Sequence, residues 1–271
     1  METRKLNPSH DTALTIFVGA SSKATNWENK ETTWSDLLNR CANTTKTKET
    51  LVQYLQMDKA KQSKIKDVGG FVGGYFATNG RRKKEGLIGR TVVTLDADNV
   101  KKDSNIWEGF KATFSFAACI YSTHKHTEEA PRLRIIIPLA DSTNVEQYEA
   151  VARYIADKIG MEYFDPTTFQ ASRLMFWPST PKDVDFFFDW QDGEILDPEE
   201  ILKKYKDWKD VSSWPMHKSE TPEAILNNKR KAPDPTAKAG IVGAFCNAYT
   251  IEEAIEKFLP DVYAPTLQGD R

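Results

Sequence analysis

The chain has 271 residues, of which 39% are hydrophobic and 28% charged, with a formal net charge of −2. That is ordinary for a globular protein, and long enough for one sizeable core with an appendage or for two small domains. No apolar run approaches the length of a membrane span, Met1 to Lys5 have no signal-peptide core, and Cys41, Cys119 and Cys246 are too scattered for a disulfide framework or zinc site, so a cytoplasmic protein with no membrane partner is expected.

Leu14 to Val18 reads as a short strand ending at Gly19. Thr33 or Ser35 is placed to cap a helix through Leu37, Leu38 and Cys41. A second helix is expected over 48–60, with Leu51, Tyr54 and Leu55 at core spacing. Gly69, Gly70, Gly73 and Gly74 then interrupt an apolar stretch that ends at Phe76. No Gly-Lys-Ser/Thr follows, so this is no Walker A loop, and a bent strand is expected. Arg81, Arg82, Lys83 and Lys84 form a basic turn.

Thr91 to Asn99 reads as a strand-forming stretch that runs from the basic turn into a polar one. Alternation puts Asp96 and Asp98 on one face and Val93, Leu95 and Ala97 on the other. Two close carboxylates resist joint ionisation, and divalent cations are the usual remedy. An acidic strand end that merely stops pairing has the same short pattern. Further strands are expected over 114–121 and 131–138, the latter with Arg132 and Arg134 sharing a face. A helix follows, capped by Ser142 or Asp141 and closed by Gly160, with Val145, Tyr148, Val151, Ile155 and Ile159 as its buried stripe. Short strands are expected at 163–166, 172–178 and 186–190, and an acidic helix over 197–208.

Strands mixed with helices in this way give an α/β (α+β) fold class, with helices covering one face of a sheet. Residues 1–209 are expected as the main domain. Residues 210–238, which hold Pro215, Pro222, Pro233 and Pro235, read as a linker with a short helix at 222–230. Residues 239–271 read as a small helical unit leading into another domain. Charge is distributed unevenly. Residues 41–90 carry eleven Lys or Arg against four acids, whereas 183–210 carry ten acids against four lysines. A polyanion would be drawn to the first region and repelled by the second.

Three features follow one another in order: Leu95-Asp-Ala-Asp-Asn99, then Ser122-Thr-His-Lys-His126 leading to Pro131-Arg-Leu-Arg134, then Phe164-Asp165 followed by Ser172-Arg-Leu-Met-Phe-Trp-Pro178. Together they resemble the catalytic core of archaeo-eukaryotic-type primases (prim-pols), and more narrowly the N-terminal module of phage and mobile-element primase-helicases of the virulence-associated E-like type. The stretches Lys66–Gly74 and Gly240–Cys246 also look typical of that group.

The resemblance implies a palm sheet related to the RNA-recognition fold and template-directed nucleotidyl transfer during DNA replication, in a bacterial host cytosol. Asp96, Asp98 and Asp165 would hold two Mg²⁺ or Mn²⁺ ions. Ser122, His126, Arg132 and Arg134 would grip the triphosphate, with Arg173 as a further nucleotide contact. The second motif is often summarised as Ser-x-His, which fits His124, whereas nearer relatives place the histidine at His126; His126 is favoured and His124 is kept as a helper. Arg81, Arg82, Lys83 and Lys84 are the candidate nucleic-acid contacts. Implied partners are a single-stranded DNA template and primer, nucleoside triphosphates, and a helicase in cis or in trans. Two rivals remain. A rolling-circle initiator or relaxase would need two histidines flanking an apolar residue plus a tyrosine nucleophile. A non-catalytic single-strand-binding module would use the basic 41–90 region.

Overall fold

Runs of Val, Leu and Ile favour a pleated, buried surface, and the two longest strands form where these residues cluster. They are β6 (Leu87–Ala97) and β8 (Leu133–Thr143), each of 11 residues. The protein is seen here as a computed structural model that describes residues 4–230, 244–245 and 248–258. The chain divides into two units, Met1–Glu220 and Thr221–Arg271.

In the first unit β6 and β8 are the centre of an antiparallel sheet. It is completed by β7 (Ala118–Ser122), β11 (Phe188–Gln191) and β5 (Gly74–Phe76) in the order β11-β7-β8-β6-β5. Val93, Leu95 and Ala97 turn to one face, where β6 and β8 are covered by α5 (Val145–Ile159), with α4 (Ile106–Thr113) packed on α5. The other face carries Val92, Ile136, Cys119 and Tyr121. It packs on a second sheet, β2-β1-β4-β9, and on α1 (Trp34–Cys41), through Leu14, Ile16, Phe71, Met175, Trp34, Leu37 and Leu38. The strands of this second sheet are β1 (Ala13–Gly19), β2 (Glu28–Thr33), β4 (Gly70–Val72) and β9 (Met175–Phe176), and β3 (Thr45–Lys46) pairs with β10 (Ser179–Thr180) in a separate parallel pair. The α+β class is therefore as expected, with α5 and α4 on one face of the main sheet, while the other face packs on a second sheet and α1.

Several expected elements differ, each for a local reason. The single helix over 48–60 is two: α2 (Leu51–Gln56), with a Thr50–Gln53 capping box, and α3 (Lys59–Lys66), capped anew by Asp58. Asn144, not Ser142 or Asp141, caps α5, because its side chain accepts the Glu146 and Gln147 N–H groups while Gln147 reaches back. The bent glycine strand is the point where the chain leaves one sheet for the other. Gly73 separates β4 from β5, and a Cβ there would lie 2.8 Å from that of Val92. Residues 163–166 join two 3₁₀ turns, Met161–Tyr163 and Pro166–Phe169, rather than forming a strand, and only Met175–Phe176 of 172–178 pairs in the second sheet. The acidic helix is short, α6 (Pro198–Leu202).

The first unit extends to Glu220, so residues 210–220 are not linker. Trp214 is buried, and Glu220 pairs with Arg153 of α5. In the second unit α7 (Pro222–Arg230) matches the expected short helix, and α8 (Ile251–Phe258) lies in the expected helical unit. Residues 231–243, 246–247 and 259–271 of the linker and helical unit lie outside the described residues. Among the described residues, no helix is long and apolar enough to cross a membrane.

Beyond Val92, β6 has no strand on its outer side, and its backbone groups are met in another way. The Thr168 hydroxyl accepts the Asp96 N–H at 2.8 Å and donates to the Thr94 carbonyl at 3.2 Å. The Tyr148 hydroxyl donates to the same carbonyl at 3.3 Å, and the Asp165 N–H to the Asp96 carbonyl at 3.2 Å. A 3₁₀ turn (Pro166–Phe169) thus stands in for a missing strand. Replacing Thr168 by Val keeps the shape but orphans the Asp96 N–H. The expected loss is about 1–3 kcal/mol in urea unfolding, and an unshifted midpoint would show that the turn does not seal the edge.

Candidate active site

The sheet register carries Asp96 directly opposite Arg134 on β8, and Arg134 opposite Tyr121 on β7. The three side chains form a row across the sheet. Arg134 Nη2 lies 3.1 Å from Asp96 Oδ1, while Nη1 donates to the Phe176 carbonyl at 2.8 Å and to the Tyr121 hydroxyl at 3.3 Å. Asp96 is 9% exposed and Arg134 5%. Burial alone would lower the Arg134 pKa, but Asp96 and Tyr121 reverse this and hold the guanidinium charged. One step further out, Arg132 Nη1 meets Asp98 at 2.9 Å in a half-exposed pair.

Asp96, Asp98, Arg132, Arg134 and His124 all line one cleft of about 90 Å³, walled also by Lys66, Lys125, Trp177 and Ser179. Lys66 comes from the last turn of α3, and its ammonium sits 5.1 Å over the Phe176 ring. Burial, and then the neighbouring Arg134, lower its pKa, with Asp96 and Asp98 opposing. Lys125 lies 5.7 Å over the Tyr54 ring. Neither lysine closes an ion pair among the described residues, so the cleft holds two cations beyond those that neutralise its carboxylates.

His124 is 4% exposed and both ring nitrogens are engaged: Nε2 with Glu49 at 3.1 Å, and Nδ1 with Ser179 Oγ at 2.9 Å. Burial would raise the Glu49 carboxyl, but hydrogen bonds from Thr47 and His124 bring it below its usual range. The ionised Glu49 assigns the imidazole proton to Nε2, leaving Nδ1 to accept from Ser179. His126 lies away from the cleft lining. Its Nδ1 accepts the Arg132 N–H at 3.2 Å, and its ring stacks 6.5 Å from Phe187.

Asp165 sits beside Asp96 through the backbone bond at the strand edge, yet its side chain caps the following turn, accepting the Thr167 N–H at 2.8 Å and the Thr167 hydroxyl at 2.9 Å. Arg173 is 3.9 Å from its other oxygen. Among the described residues, no group of three or more His, Cys, Asp or Glu is arranged to hold a metal ion. Ser122 is buried, and its hydroxyl accepts the Phe187 N–H at 3.0 Å, which ties β7 to the strand beside it. Arg81, Lys83 and Lys84 are exposed. Arg82 turns inward to the Ser172 carbonyl at 2.9 Å and lies 5.7 Å over the Trp27 ring.

Lys66, Lys125, Ser179, Glu49 and Thr168 were not among the sequence candidates. Lys125 stood between two histidines that drew attention from it, and Lys66 had only its place beside the glycine stretch. Glu49 and Thr168 act through tertiary contacts that have no local signature.

A mixed α+β domain with an acidic strand end facing a cationic cleft is the class defined by these features. The chain belongs to the family described as the VapE N-terminal domain, which it matches over residues 1–217. That is the family expected from the motifs. Among solved structures, the chain is similar to the AEP domain of the cyanophage S-2L primase-polymerase (PrimPol), with 12% identity over 71% of this chain and 88% of that one, at a TM-score of 0.39. No curated protein matches the chain.

Burial lowers the pKa of both His124 and His126 below the ordinary 6.5, against the opposing pull of Glu49 on the first and of Glu128 on the second. Below pH 6.5 the unfolded chain therefore binds protons that the folded chain refuses, and stability falls as pH drops. Denaturant midpoints measured from about pH 6.5 down to about 5, where carboxylates stay ionised, should slope downward. His124→Gln should flatten part of that slope, and a slope unaltered in both His124→Gln and His126→Asn would assign it elsewhere.

Proposed function

We propose that the first unit is a DNA primase-polymerase module, transferring nucleotides from (deoxy)nucleoside triphosphates to a 3′-hydroxyl on a single-stranded template. One observation carries this reading: two strand-end carboxylates share a cleft with two unpaired lysines, so cation-binding oxygens and phosphate-binding cations lie side by side.

Mg²⁺ is commonly held by one or two carboxylates, with substrate phosphates and water completing the shell. The donor chemistry of Asp96 and Asp98 fits Mg²⁺ or Mn²⁺ on that pattern. Asp165 would join as a donor for a second ion once its cap on Thr167 is released. Bound there, divalent cations supply activation of the attacking hydroxyl and neutralisation of the leaving pyrophosphate. The remaining work falls to the chain itself. Lys66, Lys125 and Arg132 grip the phosphates, since Arg134 is buried and turns both terminal nitrogens to Asp96, Tyr121 and Phe176. Arg134 fixes the Asp96 carboxylate, and His124 braces the cleft wall through Glu49 and Ser179 rather than by touching phosphate. Arg173 is assigned to Asp165. Arg81, Lys83 and Lys84 are assigned to the nucleic-acid backbone at a distance from the cleft. The second unit is assigned as an accessory piece between this module and a helicase.

Asp96→Asn would strand a buried guanidinium, at a cost of about 3–5 kcal/mol, and would confuse folding with chemistry. Asp98→Asn is the cleaner test, because its pair with Arg132 is half exposed. Primer extension on single-stranded template with Mn²⁺ should fall by about a hundredfold or more in Asp98→Asn at unchanged stability, the loss of several kcal/mol of charge stabilisation. Lys66→Ala and Lys125→Ala should each raise the nucleotide KM about tenfold, the worth of one charge-assisted contact. Wild-type extension in Asp98→Asn would end this reading. Metal-independent single-strand binding without incorporation in the unmutated protein would favour the non-catalytic rival.

A further inference from the structure

Far from the cleft, Arg153 of α5 is 1% exposed, and all five of its N–H groups are taken. Nη1 and Nη2 grip the two oxygens of Glu220 at 2.9 and 2.8 Å; Nε and Nη2 reach Glu149 at 3.3 and 3.2 Å; Nη1 also donates to the Pro215 carbonyl at 3.3 Å. Burial would lower its pKa, but Glu220 and Glu149 raise it instead. Glu220 is pinned in turn, as its carboxylate accepts the His217 N–H at 3.3 Å and its own N–H donates to the His217 carbonyl at 2.8 Å. A fork so completely satisfied holds its neighbours with little play.

One of those neighbours is the Phe169 ring, 4.5 Å below the guanidinium. Phe169 ends the 3₁₀ turn that holds Thr168, and Thr168 carries the Asp96 N–H. Its first residue is capped by Asp165, whose N–H reaches the Asp96 carbonyl. Glu220 is the last residue of the first unit, where the chain passes on to the second. The clamp thus stands between the exit of the chain and the turn that supports the acidic strand end.

We infer that Arg153 is a positioning residue: clamped by Glu220, it seats the Phe169 turn and so sets the placement of Asp96 and Asp165, which links the catalytic carboxylates to the segment leading downstream. The inference rests on the proposed role of Asp96 for its catalytic meaning, but not for its structural claim. Removing residues 211–220 would leave the buried Arg153 with Glu149 as its remaining ion-pair partner and without its bidentate grip on Glu220, so truncations placed before Glu220 damage the cleft as well as the appendage.

The test uses the full chain with Glu220→Gln, which keeps the shape and removes the charge, and with Arg153→Met as an apolar replacement. Amide hydrogen exchange is followed residue by residue, alongside primer extension. In Glu220→Gln the amides of Asp96, Asp165 and Thr168 should exchange about ten- to hundredfold faster, the scale of one charged hydrogen bond. Those of Ile120 and Ile136 in the sheet centre should hold. In extension assays kcat should fall while the nucleotide KM stays within about twofold, because the phosphate grip is untouched. Unaltered exchange at Asp96 in both variants, or loosening confined to 211–220, overturns the coupling. So does a uniform acceleration that includes Ile120 and Ile136. Faster exchange at Asp96 in a protein whose unmutated form incorporates no nucleotide upholds the coupling and removes the primase reading instead.

Discussion

The ion pair between Asp96 and Arg134 is the constraint on which the site depends. Both groups are nearly buried, at 9% and 5% exposure, so each alone would carry a desolvation cost of several kcal/mol. The pairing is tolerable because Nη1 of Arg134 also finds the Phe176 carbonyl and the Tyr121 hydroxyl, which leaves only Nε buried without a partner. Strand register makes this possible, since Asp96, Arg134 and Tyr121 stand opposite one another on three adjacent strands. A slip of one residue would turn Asp96 into the apolar face under α5 and bring Leu95 or Ala97 into the cleft. Apolar patterning on the far face therefore fixes where the charge sits.

The same strand end has a second need, which is to satisfy a backbone edge without a neighbouring strand. Thr168, Asp165 and Tyr148 meet it from a 3₁₀ turn and a helix. This leaves the residues after Ala97 free of a ladder that would bury them. Asp98 stays half exposed at the rim while Asp96 is held below it. One carboxylate is rigid and the other accessible, which follows from where pairing stops.

Much of this was legible in the sequence. Periodicity gave the long strands and α5, and alternation put Asp96 and Asp98 on one side, as the shared cleft confirms. Elements whose residues lack apolar pattern were not legible. Strand β2, Glu-Asn-Lys-Glu-Thr-Thr, lies at a sheet edge where little of it is buried, so no alternation marks it. The proline-bearing stretch after 210 looked like linker because composition reports mean polarity and is blind to tertiary contacts such as the buried Trp214 and the pair of Arg153 with Glu220. Among the site residues, those on regular strands were recoverable, whereas Lys66, Glu49 and Ser179 arrive from separate segments brought together only by the fold.

The charge balance of the cleft has a consequence for the order of binding under the proposed reading. Arg134 and Arg132 already neutralise Asp96 and Asp98, and Lys66 and Lys125 are left over. A divalent cation arriving alone would meet compensated carboxylates and surplus positive charge, in a partly desolvated space where Coulomb terms are strong. A triphosphate arriving with its cation carries net negative charge. On that reading it would satisfy the two lysines and compete with Asp98 for Arg132, leaving that carboxylate less compensated. The two ligands then favour each other's binding through Arg132, and by linkage the effect is reciprocal. The lowered pKa of Lys66, caused first by burial and then by the neighbouring Arg134, belongs to the same picture, because a desolvated cation beside another gains most from an arriving anion.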